Sequence, residues 1–362
     1  MKRIFAMIIL FCLTFSLAAC SSGAGSSPSV QPEESAEPTS AETPDITPAP
    51  TPEPTPDPAP PREPAAVEDS DIWQIFNRNT YVRIARLGEH YYFLSSYDGE
   101  LYRCNPDGSE PEPVENSGDG GYSGLILSGG WLFWLSGGVL YRMEEGGIPE
   151  ALFRNVRGPF FVSGERVYFG DYDLNILLEC DLASGGKRIL EPEGFDPNRR
   201  YAVLGDILFY FAKGETGEYN EVFRSYDLIT EEVREEYPGE HNYFESFALD
   251  REYFYLQIAE SVENEGSEDK LVVVDRATGE TVQSWDRIVR HFYVLDGTFY
   301  AITQSGLARM DDEGNPAQTI SPSPWFDVGL NFVDGYFFIY DTNDEFDSLI
   351  RPDGTGKIEF QR

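Results

Sequence analysis

One recurring motif limits what this chain can fold into. SGGWLFWLSGGVLYRM, from Ser128 to Met143, aligns without a gap on LDGTFYAITQSGLARM, from Leu295 to Met310. The shared unit is a tight turn followed by apolar and aromatic residues. It occurs seven times, opened by the turns LGEH, SGGW, SGER, LGDI, LDRE, LDGT and VDGY. Four residues after the Gly or Asp that opens each turn stands an aromatic: Tyr92, Phe133, Tyr168, Phe209, Phe254, Tyr300 and Phe338. In a chain that is 14% aromatic, seven such coincidences in seven copies are hard to reach by chance. Their intervals are 41, 35, 41, 45, 46 and 38 residues, the range expected of propeller blades.

Each copy reads as four strands. In the second copy GLILS, WLFWL, VLYRM and EALF are successive β-rich runs, with GG as a two-residue hairpin signal between the first two. Third and fourth runs are joined by Gly- and Asp-rich turns such as NPDGSEP, DLASGGK, DRATGET, DDEGNPA and RPDGTG. YYFL, WLFWL, ILFYF and YFFIY are apolar at consecutive positions, as strands covered on both faces are. A four-stranded sheet cannot cover both its faces alone, so the copies must stack and close. The expectation is an all-β, seven-bladed β-propeller with four antiparallel strands per blade, six or eight blades being the alternatives. A β-helix has shorter coils, and a pair of sandwiches does not need the aromatic column. Ile72-Trp73-Gln74-Ile75-Phe76 precedes the first copy, and we expect it to pack on the last blade and help close the ring, a loose lead-in being the alternative.

The combination of turn, aromatic strand, "LYR" and "DG" turn, here LYRCNPDG (101–108) and LYRMEEGG (140–147), resembles the tyrosine-rich propeller repeats of bacterial surface lipoproteins of unknown function. More distantly it is similar to the YWTD-type propellers of extracellular receptors. The resemblance covers about residues 80–362 and implies the fold only. Copies four and five carry long middle loops, and no copy has a full YWTD quartet.

The N-terminus gives an address. Met1-Lys2-Arg3 is followed by the apolar run Ile4 to Phe15, the length of a signal peptide and too short to span a bilayer. Leu17-Ala18-Ala19-Cys20 then resembles a lipobox. That resemblance implies a signal peptide over 1–19, cleavage before Cys20 and lipidation of its thiol, with several acyl chains giving a stable membrane anchor. An ordinary secretory signal with an incidental Cys is the alternative. Cys20 opens a second region, 20–71, in which 13 of the 25 prolines fall between Pro28 and Pro64. Such a stretch cannot build a core and reads as a disordered, polyproline-biased stalk reaching up to ~140 Å. The propeller domain is 72–362. The expected location is extracytoplasmic, lipid-anchored to the bacterial cell membrane.

Charge narrows the partners. The signal carries +2 and residues 21–71 carry −10, leaving the folded part −28 of the total −36. Such a surface repels nucleic acid and anionic head groups. Cys104 and Cys180, in the same column of non-adjacent copies, are expected to be buried and unpaired. His90, His241 and His291 have no metal-ligand spacing, and no GxSxG, HExxH, P-loop or GxGxxG-helix unit occurs. LVVVDRATGETVQSW (271–285) resembles a quinoprotein repeat with its Trp displaced; an ordinary β-turn is the plainer reading, and no quinone is expected.

The connections between second and third strands share one face of a propeller. Here they include GDYDLN (170–175), AKGETGEYNE (212–221), AESVENEGSEDK (259–270) and DTNDEFDS (341–348). Crowded carboxylates favour a cation or a basic partner. Asp171, Asp173 and Asn175, or Asp341, Asn343 and Glu345, have the alternate spacing of oxygen-ligand loops for Ca²⁺, without the Gly and distal Glu of an EF-hand. The plainer reading is a solvated acidic face. No other cofactor is expected. Exposed aromatics around a channel could stack on sugars or peptides, though most of the aromatics belong in the blade core.

The leading functional expectation is a non-catalytic binding or protein-interaction module for an envelope protein, peptide or glycan. The alternatives are an envelope glycan hydrolase or lyase using carboxylates at the channel mouth, and a sensor or assembly factor for other envelope proteins.

Overall fold

The computed structural model describes residues 72, 75–76, 83–95, 98–118, 121, 123–171, 174, 176–197, 199–213, 221–238, 242–262, 266–286, 291–303, 305–322, 328–341 and 347–360. Cys20 and the signal and stalk regions lie outside them.

The described residues form seven four-stranded antiparallel sheets, each built from strands consecutive in sequence. Blade one is β1–β4 (Ile84–Leu87, His90–Leu94, Leu101–Cys104, Glu112–Pro113) and blade two β5–β8 (Ser123–Ser128, Trp131–Ser136, Val139–Met143, Glu150–Arg154). Blade three is β9–β12 (Val156–Ser163, Arg166–Asp171, Ile176–Asp181, Lys187–Leu190) and blade four β13–β16 (Tyr201–Leu204, Ile207–Lys213, Glu221–Asp227, Val233–Tyr237). Blade five is β17–β20 (Asn242–Leu249, Tyr253–Val262, Gly266–Asp275, Thr281–Trp285). Blade six is β21–β24 (Phe292–Leu295, Thr298–Thr303, Gly306–Met310, Pro316–Ser321) and blade seven β25–β28 (Val328–Val333, Tyr336–Asp341, Asp347–Ile350, Ile358–Phe360). The fold is a seven-bladed β-propeller.

The repeated turn sets the register of each sheet. In six blades the first two strands are joined by two residues, and the first of them has positive φ: Gly88, Gly129, Gly164, Gly205, Asp296 and Asp334. Such turns match the twist of the strands they join. Blade five has a longer turn, pairing Leu249 with Phe254. There Asp250 Oδ1 accepts the Glu252 and Tyr253 N–H groups, both at 2.8 Å, and Oδ2 accepts the Tyr255 hydroxyl at 2.6 Å. All seven marker aromatics sit in second strands and are buried.

Consecutive apolar residues serve opposite faces. Tyr92 packs into the core between blades one and two with Leu125, Leu132 and Trp134. Its neighbours Tyr91 and Phe93 pack into the core between blades seven and one with Phe338, Leu349 and Phe360. This is the both-faces burial that YYFL implies. The two cysteines are free and buried, Cys104 in the seven/one core and Cys180 in the two/three core. Burial pushes their thiols up to about 12 and about 11 respectively, so both behave as small apolar residues.

Among the described residues no strand is exchanged between first and last blades, and side chains join the two. Asn331 Oδ1 accepts the Arg83 N–H at 2.8 Å. Asp334 takes the Arg86 guanidinium and, at 3.2 Å, the Tyr91 hydroxyl. Gly108, at φ +80, lies where a Cβ would stand 2.9 Å from the Glu359 carbonyl and the Phe360 ring, so only glycine permits that approach.

The N-terminal segment departs from expectation. Ile72, Ile75 and Phe76 are helical and buried, and the ring contacts of Phe76 are with Tyr255 of blade five and with Phe292 and Tyr293 of blade six rather than with the last blade. Blade seven needs no such cover, because blade one's Tyr91 and Phe93 already fill its open face.

The turns between third and fourth strands carry a pH dependence. Asp107, Asp181, Asp227, Asp275 and Asp353 each accept N–H groups from residues two or three positions on, as Asp275 does from Ala277 and Thr278 at 2.9 Å. Hydrogen bonds from Ser109, Ser184, Thr230, Thr278 and Thr355 respectively hold these carboxyls below the usual carboxylate range. A folded-state pKa below the unfolded value means that protonation favours the unfolded chain. Their contribution is complete above the unfolded Asp value of ~3.9 and disappears as pH falls through the folded values. The melting midpoint should therefore slope downward below about pH 4. Asp275→Asn should flatten that slope, and an unchanged slope would show that this turn carries none of it.

Candidate functional site

Second-to-third-strand connections lie at the end of each sheet opposite the repeated turns. Of the sequence-expected ligands, Asp171 is placed: it ends β10 opposite Ile176, is buried, and accepts the Leu174 N–H at 3.0 Å through Oδ1. That oxygen shapes its own turn. Asp173 and Asn175 lie outside the described residues. Asp341 ends β26 opposite Val328, and its side chain lies outside the described residues, as do Asn343 and Glu345. Among the described residues no group of three His, Cys, Asp or Glu side chains is placed to hold a metal ion.

AESVENEGSEDK is largely strand, where the sequence reads as a loop. β18 and β19 pair continuously from Tyr253–Asp275 to Val262–Gly266, ten residue pairs. The corresponding pairs of strands in blades one to four run to four, five, six and seven residue pairs. Blade five thus has the longest described ladder between second and third strands, three pairs longer than that of blade four. In its outer part Glu260 is opposite Glu268 and Ala259 opposite Asp269. Like charges directly opposite are unfavourable in a sheet. The alternation of Glu, Ser and Val in this stretch supports strand, but the acidic residues mask it.

Beside the hairpin, the seam between blades four and five is locked by charge. Arg199 donates to Glu221 Oε2, to the Phe244 carbonyl at 2.9 Å and to the Tyr243 hydroxyl at 2.6 Å, and Glu221 Oε2 also accepts the Phe244 N–H at 3.0 Å. Glu221 is thus committed to structure. Sequence reading could not find this cluster, because Arg199 lies 22 to 45 positions from its partners.

At the opposite end of the sheets, between blades five and six, is a cavity of about 340 Å³ lined by Gln283, Trp285, Thr298, Phe299, Met310 and Asp312 among others. The Asp312 carbonyl accepts Gln283 Nε2 at 2.7 Å and Trp285 Nε1 at 3.1 Å, which clamps its two walls together. The Trp285 and Phe299 rings meet edge to face there, at 4.5 Å and 67°.

No protein-family model matches the chain, and no curated protein matches it. Solved structures do. The extracellular domain of a B. thetaiotaomicron protein described as a one-component system is 14% identical, with a TM-score of 0.51 over 73% of this chain and 37% of that one. The tricorn protease is 12% identical, with a TM-score of 0.53 over 83% and 35%. A puromycin-hydrolysing peptidase of Mycobacterium tuberculosis is 11% identical, with a TM-score of 0.52 over 83% and 55%. This chain therefore spans between about a third and a half of each of these longer proteins. At such identities the likeness is one of fold, and the fold it shows is the β-propeller.

Proposed function

We propose that the chain is a non-catalytic binding module, held outside the cytoplasm by a lipidated Cys20 and lifted from the membrane by its proline-rich stalk. The observation that carries this reading is the blade-five hairpin. Its strands pair over ten residue pairs, and in its outer part the ladder sets Glu260 opposite Glu268. A basic segment of an envelope protein laid against it relieves that repulsion. Asp171 and Glu221, described carboxylates of the same rim, are engaged in a turn and in an interblade lock, which favours binding over hydrolysis by paired carboxylates. The B. thetaiotaomicron ring, also part of an extracellular domain, is compatible with display outside the cell.

The test is crosslinking in cells of the full chain against a variant in which residues 259–269 are replaced by a two-residue turn. Loss of one crosslinked envelope protein, with the melting midpoint of the ring retained, supports the reading. Identical crosslinks from both forms, or cleavage of envelope glycan by the purified chain, would overturn it.

A further inference from the structure

Independent of the hairpin, the seam between blades five and six holds an occupant that the sheets do not require. Ile72, Ile75 and Phe76 are spaced i, i+3, i+4, which puts them on one face of a helical turn. All three are buried in the core cluster that runs from blade three to blade seven, and the ring contacts of Phe76 place it at blades five and six. The Phe76 ring lies 5.0 Å from Tyr293, 5.6 Å from Tyr255 and 6.1 Å from Phe292. Tyr255 belongs to β18; Phe292 and Tyr293 belong to β21, the first strand of blade six. The chain continues into blade one, which neighbours blades two and seven, not five and six. Seven residue steps separate Phe76 from Arg83 and reach at most ~25 Å, so the contact is on the axis side of the ring.

We propose that the axis-side seam between blades five and six is a docking groove for a short helical peptide with apolar residues at i, i+3 and i+4, and that its resident occupant is this chain's own Ile72–Phe76 segment. The four-stranded ladders of blades five and six are built from their own strands, so the occupant can leave without unpairing them. The Tyr293 ring that seats Phe76 also lies 5.4 Å from Phe332 and 6.0 Å from Phe337 of blade seven, so the floor of the groove is held from its far side.

The experiment uses the full chain with a protease recognition sequence inserted between Arg78 and Asn79. After cleavage the N-terminal fragment should co-elute with the folded ring, and excess synthetic peptide covering residues 70–77 should displace it. The same peptide with Ile75→Asp and Phe76→Asp should not. In the uncut chain Phe76→Ala should lower the melting midpoint by roughly 5–10 °C, and the added peptide should recover part of that loss. A fragment that separates at once from a ring that stays folded overturns the proposal. So does a fragment that no excess of peptide displaces, or a Phe76→Ala midpoint equal to that of the parent.

Discussion

Phe360→Ala is expected to cost about 3–5 kcal/mol of stability, measured by urea unfolding of the purified chain. Phe360 is fully buried in β28. Its ring stacks on Phe93 of blade one at 4.8 Å and 14°, and meets Phe338 at 5.9 Å and Tyr91 at 6.4 Å. Two effects add: the lost transfer energy of a phenyl group, and a cavity that its neighbours can fill only partly. The position matters more than the area, because among the described residues no strand pairing crosses this seam. Closure rests on this core and on the Asn331 and Asp334 contacts. Phe360→Leu, which keeps most of the volume, should recover more than half of the loss. A cost below about 1 kcal/mol for the alanine variant would show that the aromatic stack does not hold the ring shut.

Phe223→Ala should cost a similar amount, about 3–5 kcal/mol, for a different reason. Phe223, in β15, is fully buried among four other phenylalanines at ring distances of 4.9 Å (Phe247), 5.2 Å (Phe254), 5.6 Å (Phe211) and 6.2 Å (Phe209). Phe247 and Phe254 come from blade five, so the cluster glues two blades rather than filling one. Edge-to-face contacts such as Phe223–Phe254, at 82°, contribute beyond area alone. A double-mutant cycle on that pair should give a coupling of about 0.5–1.5 kcal/mol. Strict additivity would assign the loss to the cavity and remove the ring geometry from the account.

The blades were legible because their signal is local and periodic. A glycine or aspartate at positive φ and an aromatic four residues on lie within one hairpin, so Gly164 and Tyr168 declare a strand pair without help from the rest of the chain. Runs such as YYFL told of cover on both faces, and Tyr91, Tyr92 and Phe93 do serve two different cores. Contacts between distant residues were not legible. The spacing of Ile72, Ile75 and Phe76 contains a helical face, but nothing in it names Tyr293, more than 200 positions away, as its seat. The acidic run from Glu260 to Asp269 reads as loop by composition, because unfavourable residues hide a ladder that the preceding Tyr253–Ala259 stretch propagates. Asp171, chosen for its spacing, carries the same kind of local hydrogen bond as the turn aspartates: a short carboxylate accepting a nearby N–H.

That every sheet is drawn from one unbroken stretch of sequence bears on how such a molecule changes over generations. In a ring sealed by a shared sheet, gain or loss of a unit must leave the first and last strands able to find each other. Here a copying error that adds or deletes some forty residues inserts or removes a finished sheet, and the new neighbours need only present matching aromatic faces. The size of the ring is thus set by side-chain fit at each boundary, and the gene can vary it one whole blade at a time.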